Sequence, residues 1–403
     1  MSSEGRQNER PLRVLHVAPT VSVADGPSRA TLAMIQALED RTDIALQLLT
    51  GQYQGITLNP ALSGRDREQV EILAVRQPLG GRLGISVAYP PGFQKSLSRL
   101  ARGADIVHMH GLWLYPTLFG CSVLRSLGRP YVISLYGLLM TEALRHSRLK
   151  KWVALALFER RNIANAGAVI ATSQQELAQL QSLGLSAEGI VIPLAMEPTA
   201  MRFLGQSRSR QSFLARRDRT VLCVARFHSQ KRLVELAQAF GQVAHAAPGW
   251  RLRIIGPDDE PGYRPRVIAA ALASGAGGRI SIESALEGEP LWMAYRDADA
   301  FALASTFEGF GLAIGEALAA GLPVIATRDA PWPQLLEQRC GWWIESSLES
   351  LRSTLFDAMS APAIELWEMG ERGRQVVSSE FSLPALGDRL YQLYGSVLSQ
   401  RTA

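Results

Sequence analysis

Short apolar runs recur along this chain, and nearly every one leads through a loop into a helix-forming stretch. In the first half they are Arg13–Ala18 (RVLHVA), Ile44–Leu49, Val70–Ala74, Ile106–His110, Tyr131–Leu135 and Ala168–Ala171. A second series runs through Val221–Ala225, Arg251–Gly256, Arg279–Ile282, Ala300–Ala304, Val324–Thr327 and Gly341–Ile344. Runs this short, alternating with helices, predict an α/β fold with mostly parallel sheets covered on both faces. At 403 residues the two series predict two domains of ordinary size.

The expected organisation follows from composition along the chain. Residues 1–11 are a polar tail expected to be disordered, 12–197 a first domain, 198–219 a Ser, Arg and Gln-rich linker, and 220–382 a second domain. Residues 383–403 place Leu386, Leu390, Leu393, Tyr394 and Val397 at helical spacing, which predicts an amphipathic helix packing back on the first domain.

The densest stretch is Ser305–Thr327, STFEGFGLAIGEALAAGLPVIAT. Glu308 and Glu316 stand eight positions apart, with Gly309, Phe310 and Gly311 ahead of a helical run from Leu312 to Ala320. Eight residues are a little over two helical turns, so one carboxylate sits at the helix mouth and the other further along a similar face. Gly321 suits a helix C-cap, and Pro323 blocks continuation. Glycines at a helix mouth let backbone N–H groups approach an anion or a sugar hydroxyl.

Two cations and one histidine pair also stand at strand ends. In ARFHSQK (Ala225–Lys231), Arg226 and Lys231 are five apart at the end of the second series' first strand, where a guanidinium fork and an ammonium can converge on a diphosphate. Lysine occurs only at positions 95, 150, 151 and 231, which adds weight to Lys231. In the first half, Gly26 in the loop Pro19–Pro27 permits close ligand approach ahead of a helix from Ser28 to Leu38. His108 and His110 lie two apart on one side of a strand; with no second cluster of ligating residues nearby, no metal is expected. His110, followed by Gly111, is the better candidate for ligand contact.

Composition narrows the function classes. A net charge of +5, carried mostly by arginine, suits phosphorylated ligands or an anionic membrane surface. No basic block with interleaved aromatics suggests nucleic acid. Three widely spaced cysteines, with no C-x-x-C pair, fit a reducing, cytoplasmic compartment. The start lacks the apolar stretch of a secretory signal, and no run is long enough to span a bilayer. Arg148–Asn165 (RLKKWVALALFERRNIAN) is basic at both ends around Trp152, Leu155, Leu157 and Phe158. It reads first as a domain helix burying those residues, with seating on the inner face of an anionic membrane as the sharper alternative.

These motifs resemble the retaining glycosyltransferases of family 4, over about Leu12 to Ser399. The most specific element is E-x7-E, Glu308 through Glu316, with ARFHSQK about eighty residues earlier; DGPSRA (Asp25–Ala30), DIVHMHGLW (Asp105–Trp113), TSQQE (Thr172–Glu176) and GPDDEPGYRPRV (Gly256–Val267) are weaker echoes. The resemblance implies the GT-B fold of two facing Rossmann-like domains. It implies that Arg226 and Lys231 bind the donor diphosphate and neutralise the leaving group, and that Glu316 holds the ribose. Glu308 and the backbone around Gly309, Phe310, Gly311 and Leu312 would contact donor sugar and phosphates. His110 would face the reacting sugar, and Gly26 would admit donor phosphate or acceptor. The chain departs from the pattern at Asp25-Gly26 for Gly-Gly, Tyr136-Gly137 for His-Gly, Leu194-Ala195 for Asn-Gly and Ala304-Ser305 for Pro-Ser.

The resulting expectation is a metal-independent, retaining hexosyltransferase of polysaccharide biosynthesis, taking a nucleotide diphosphate sugar as donor substrate with no separate cofactor. A saccharide or lipid-linked saccharide would be the acceptor, as in exopolysaccharide or lipopolysaccharide assembly. Glu308 is the one nucleophile the motif offers, while the resemblance favours attack on the face from which the diphosphate departs. The rivals are a non-catalytic nucleotide-sugar-binding partner in a polysaccharide assembly pathway and a GT-B epimerase or hydrolase.

Overall fold

A computed structural model describes residues 10–22, 26–62, 69–75, 90–145, 148–185, 188–206 and 209–401. The chain divides into two compact units, residues 1–195 with 383–403 and residues 196–382. The first carries β1 (Leu12–Ala18), β2 (Ile44–Tyr53), β3 (Val70–Val75), β4 (Ile106–His110), β5 (Tyr131–Ser134), β6 (Ala168–Ala171) and β7 (Gly189–Val191). They form one sheet in the order β3-β2-β1-β4-β5-β6-β7, and every adjacent pair is parallel. The short edge strand β7 was not expected; three residues beginning with glycine leave almost no apolar run to read.

Alternation along each strand sorts the core onto two faces. Leu15, Val17, Val107 and Met109 pack on one side with Phe93, Leu97 and Tyr115. Val14, Ile106, Val132 and Ile170 point the other way, toward Met34, Leu38 and the helix Leu383–Ser399. That helix buries Leu386, Leu390, Leu393, Tyr394 and Val397, each worth about 1.5–3 kcal/mol of transfer free energy. It approaches the helix Gly26–Glu39 so closely that a side chain at Gly387 would run into the carbonyl oxygen of Ala37.

The second unit holds β8 (Arg219–Val224), β9 (Trp250–Ile255), β10 (Ile280–Glu283), β11 (Ala300–Leu303), β12 (Val324–Thr327) and β13 (Gly341–Ile344). Its sheet runs β10-β9-β8-β11-β12-β13, again parallel throughout. Numbered within their own units, both sheets therefore begin 3-2-1-4-5-6, the doubly wound order whose ligand crevice lies where strand order reverses. In the first unit that point is β1/β4, and in the second it is β8/β11.

Three expectations need correcting. The segment 198–219 is not a free linker: it folds into the helices Pro198–Leu204 and Arg210–Leu214, buries Phe213, and lies within the second unit. Gly26 is not a loop residue but the first residue of its helix, while Asp25 lies outside the described residues. Arg148–Asn165 is not one helix with its apolar residues inside. It forms Arg148–Ala154, a π-helical turn Leu155–Glu159, and Arg160–Ala164, and of the four apolar residues singled out only Leu155 is buried.

Candidate functional site

In the second unit, the loops leaving β8 and β11 are stitched together. Thr306 N–H donates to the Gln230 carbonyl at 2.8 Å, and the Lys231 ammonium meets Glu308 Oε1 at 2.5 Å. Ser305 Oγ donates to the same oxygen at 2.7 Å. Both ends of the Lys231–Glu308 pair are nearly buried, with side chains 12% and 11% exposed, so little water screens it. Residues 77 positions apart in sequence thus become direct partners at the switch point.

Arg226 is placed differently. Its side chain is 55% exposed and pairs with Asp259 Oδ2 at 2.6 Å, on the loop that follows β9. Beside it, Ser229 N–H donates to Glu260 Oε2 at 2.7 Å. The acidic loop Asp258–Glu260 therefore accepts from the loop that carries both cations. An exposed guanidinium on one carboxylate exchanges partners at small cost, since surface ion pairs contribute about 0–1 kcal/mol.

The helix Leu312–Ala319 opens at Gly311, which has a left-handed φ of 81° and supplies no side-chain cap. The earliest N–H groups of a helix have no intrahelical acceptor, so this mouth presents donors and the positive end of the dipole. Phe310 does not present its side chain there. Its ring packs on Trp332 and Phe381, and its carbonyl accepts from Trp332 Nε1 at 2.6 Å, which locks the Gly309–Gly311 turn. Glu316, further along, accepts from the buried Tyr295 hydroxyl at 2.7 Å. The helix closes as expected, Gly321 N–H bonding Leu318 and Leu322 N–H bonding Ala317.

The first unit's switch point is built of neutral rings. β1 and β4 pair in register, so His16 lies beside His108, and His110 follows two residues later on the same face. His108 and His110 stack with ring centroids 4.2 Å apart, and His16 Nδ1 lies 2.9 Å from His110 Nε2. The histidine pair is thus a triad, its third member supplied by a strand ninety residues earlier. Burial, and then the neighbouring imidazoles, hold His108 and His110 well below their ordinary pKa.

Three histidine nitrogens within 4.8 Å of one another are a metal-compatible set. Yet His108 already bonds the Tyr394 hydroxyl at 2.7 Å and Ser134 Oγ at 2.8 Å, and His110 bonds the Tyr136 hydroxyl at 2.6 Å as well as His16. A metal would have to break those bonds, so the donor set fits a hydrogen-bonded stack better than an ion. His110 also lines a cavity of about 360 Å³ with Pro27, Thr31, Trp113, Tyr136 and Leu138. Trp113 and Tyr136 hold φ values of 70° and 55°, strained for aromatic residues and concentrated at this pocket. Glu176, of the TSQQE echo, secures the Tyr136 turn: its carboxylate accepts from the N–H of Gly137 and from Thr172 N–H at 2.8 Å.

Two Rossmann-like sheets thus gather ring-bearing residues at one switch point and charged residues at the other, the places where open α/β sheets take ligands. Family comparisons name the class. Residues 206–376 match "Glycosyl transferases group 1" and residues 25–195 match "Glycosyl transferase 4-like domain". The chain belongs to this glycosyltransferase family and has its GT-B fold. It is similar to a D-inositol 3-phosphate glycosyltransferase of Segniliparus rotundus, 30% identical over 45% of this chain and 40% of that protein. It is 25% identical to a GDP-mannose:cellobiosyl-diphosphopolyprenol α-mannosyltransferase of Xanthomonas oryzae pv. oryzae, over 59% of each. The matches thus span about half the length of these relatives. The Anabaena protein HepE, solved with UDP, superposes with a TM-score of 0.70 at 19% identity, over 96% of this chain and all of HepE, which bears on fold alone.

Of the residues named from sequence, Lys231 and Glu308 come into direct contact, Arg226 stands on the adjoining loop, and Gly309, Gly311, Leu312 and Glu316 form or follow the helix mouth. His110 and Gly26 belong to the other unit, where the Gly26 helix contributes Pro27 and Thr31 to the cavity wall. Sequence reasoning missed His16, Tyr295, Asp259 and Trp113. His16 stood in a strand-like run with no visible partner, and strand register alone supplies one.

Proposed function

We propose that this chain is a retaining glycosyltransferase that moves a hexose-type sugar from a nucleotide diphosphate sugar to a saccharide or lipid-linked saccharide acceptor. The observation that carries this reading is the Lys231–Glu308–Ser305 cluster at the second unit's switch point, beside Arg226 and the Gly311 helix mouth. Departure of a nucleoside diphosphate builds charge on phosphate oxygens. Preorganised cations and helix-mouth N–H groups stabilise that charge, so no metal is required. Arg226 can exchange Asp259 for phosphate, and Lys231 can share its ammonium between Glu308 and the diphosphate.

Glu308 is better suited to positioning than to nucleophilic attack. The same carboxylate oxygen accepts from both Lys231 and Ser305, so its lone pairs are already engaged and its direction is fixed. In the reading favoured here, the bond from the anomeric carbon to the diphosphate breaks with its electron pair on the phosphate oxygen. The acceptor hydroxyl bonds that carbon from the same face, and its proton passes to the departing phosphate. GDP-mannose and a diphosphopolyprenol-linked saccharide are the first pair to test, by similarity to the Xanthomonas relative. Three buried thiols suit a reducing compartment for the reaction.

Thermal stabilisation by a panel of nucleoside diphosphates with chelator present, followed by radiolabel transfer, tests the proposal. One base should stabilise wild type by about 2.7 kcal/mol at a hundredfold excess over its dissociation constant, and Lys231→Ala should lose the effect. Binding without transfer to any acceptor would instead support a non-catalytic partner.

A further inference from the structure

The segment 148–164 is apolar on two faces, and only one of them is covered. Leu155, Glu159 and Ile163, at a spacing of four, point into the first unit. Leu149, Trp152, Val153 and Leu157 also share a helical face, yet they are 79%, 58%, 49% and 65% exposed. The π-helical turn Leu155–Glu159 adds a residue to the register, so Phe158 joins them at 42% exposure. Five large apolar side chains in ten residues form a continuous stripe, which soluble surfaces ordinarily avoid. Scattered exposed leucines need no explanation; a stripe at helical spacing does.

The charges identify what covers it. Exposed Arg148 and Lys150 flank one end of the stripe, and exposed Arg160 and Arg161 flank the other. The segment's single carboxylate, Glu159, is turned inward and fully buried. An apolar face bordered by cations, with no anion on it, matches a bilayer surface of anionic headgroups above acyl chains. Among the described residues no helix is long and apolar enough to cross a membrane, so contact of this kind lies along the surface.

Glu159 also connects this stripe to the first unit's cavity. Its Oε1 accepts from Trp113 N–H at 2.9 Å and from Thr117 Oγ1 at 2.7 Å, and its Oε2 from Asn162 Nδ2 at 3.1 Å. Trp113 lines the pocket that holds His110. We infer that the stripe Leu149–Phe158 is a docking surface for anionic membranes, rigidly joined through Glu159 to the pocket wall. This deepens the proposed function, because it favours a membrane-borne saccharide as acceptor, and it rests on that reading for its purpose but not for its test.

The experiment is co-sedimentation of the full chain with vesicles of phosphatidylcholine alone and with about one-third phosphatidylglycerol, without donor or acceptor. Wild type should bind the anionic vesicles, with affinity falling about fivefold for each basic residue removed among Lys150, Arg160 and Arg161. Trp152→Ala with Leu157→Ala should reduce binding at least tenfold, while nucleotide-dependent thermal stabilisation stays unchanged. A Trp152→Phe variant should keep most of the binding, which separates loss of the surface from loss of the fold. Absence of binding to anionic vesicles, undiminished binding by the double alanine variant, or a stripe-dependent dimer in place of vesicle binding would each overturn the inference. Failure of the nucleotide stabilisation alone would count against the transferase reading and leave the docking surface standing.

Discussion

The two units share a strand order and place their residues at the same topological point, but they fill it with opposite chemistry. At β1/β4 the first unit gathers buried, neutral imidazoles bonded to Tyr136, Tyr394 and Ser134. At β8/β11 the second unit gathers full charges, the near-buried Lys231–Glu308 pair and the exposed Arg226–Asp259 pair. The same backbone frame thus carries a rigid, low-dielectric surface in one unit and a set of exchangeable ions in the other. The lesson is that fold order locates a site, while the side chains at strand ends decide what it handles.

The largest expected effect falls on the charged side. Glu308→Ala should lower kcat by about 10²–10³ while leaving nucleotide affinity nearly intact, and Lys231→Ala should lower both, as read by steady-state transfer and nucleotide titration. If Glu308→Ala turned over normally, the positioning role assigned to that pair would be lost. Next, Gly387→Val should destabilise the first unit by about 1–3 kcal/mol, because the added side chain would run into the Ala37 backbone carbonyl and push the two helices apart. Chemical denaturation should show that loss, with nucleotide binding by the second unit preserved.

The histidine stack makes stability pH-dependent in a defined direction. His108 and His110 have pKa values below those of the unfolded chain, so the unfolded state takes up more protons as pH falls. Stability should be full above about pH 6.5 and decline below it, by up to about 1.4 kcal/mol per pH unit for each histidine. Melting temperatures from pH 8 to pH 5 should show this, and His108→Gln should flatten the slope. The smallest effect is at Tyr136. Removing its hydroxyl with Tyr136→Phe frees His110 Nδ1 and should cost about 1 kcal/mol, read as a several-fold fall in kcat with donor KM unchanged.

Much of this was legible beforehand. Among the described residues, twelve of the thirteen strands, the C-terminal amphipathic helix and the closure of the Leu312 helix follow from local signals: apolar run length, residue spacing, and a glycine before a proline. The miss at 198–219 has a physical cause, since two short helices that bury isolated residues such as Leu204 and Phe213 leave no sustained period to read. The miss at 148–165 is of another kind. Periodicity shows that a helix has an apolar side but not whether the domain supplies anything to cover it, and here Trp152, Leu157 and Phe158 face outward.

Sequence alone determined the α/β class, the identity of Glu308, Glu316, Arg226, Lys231 and His110 as candidates, and the family pattern, because each rests on residues close in the chain or on a fixed spacing. Tertiary structure decided the pairings. Lys231 meets Glu308 only because β8 and β11 are neighbours, His16 joins His108 and His110 only because β1 and β4 run in register, and Tyr394 reaches His108 across 286 positions. Local propensity acts over a few residues, whereas these contacts are set by which strand lies beside which and by which face each side chain takes, and only burial of the whole sheet fixes those choices.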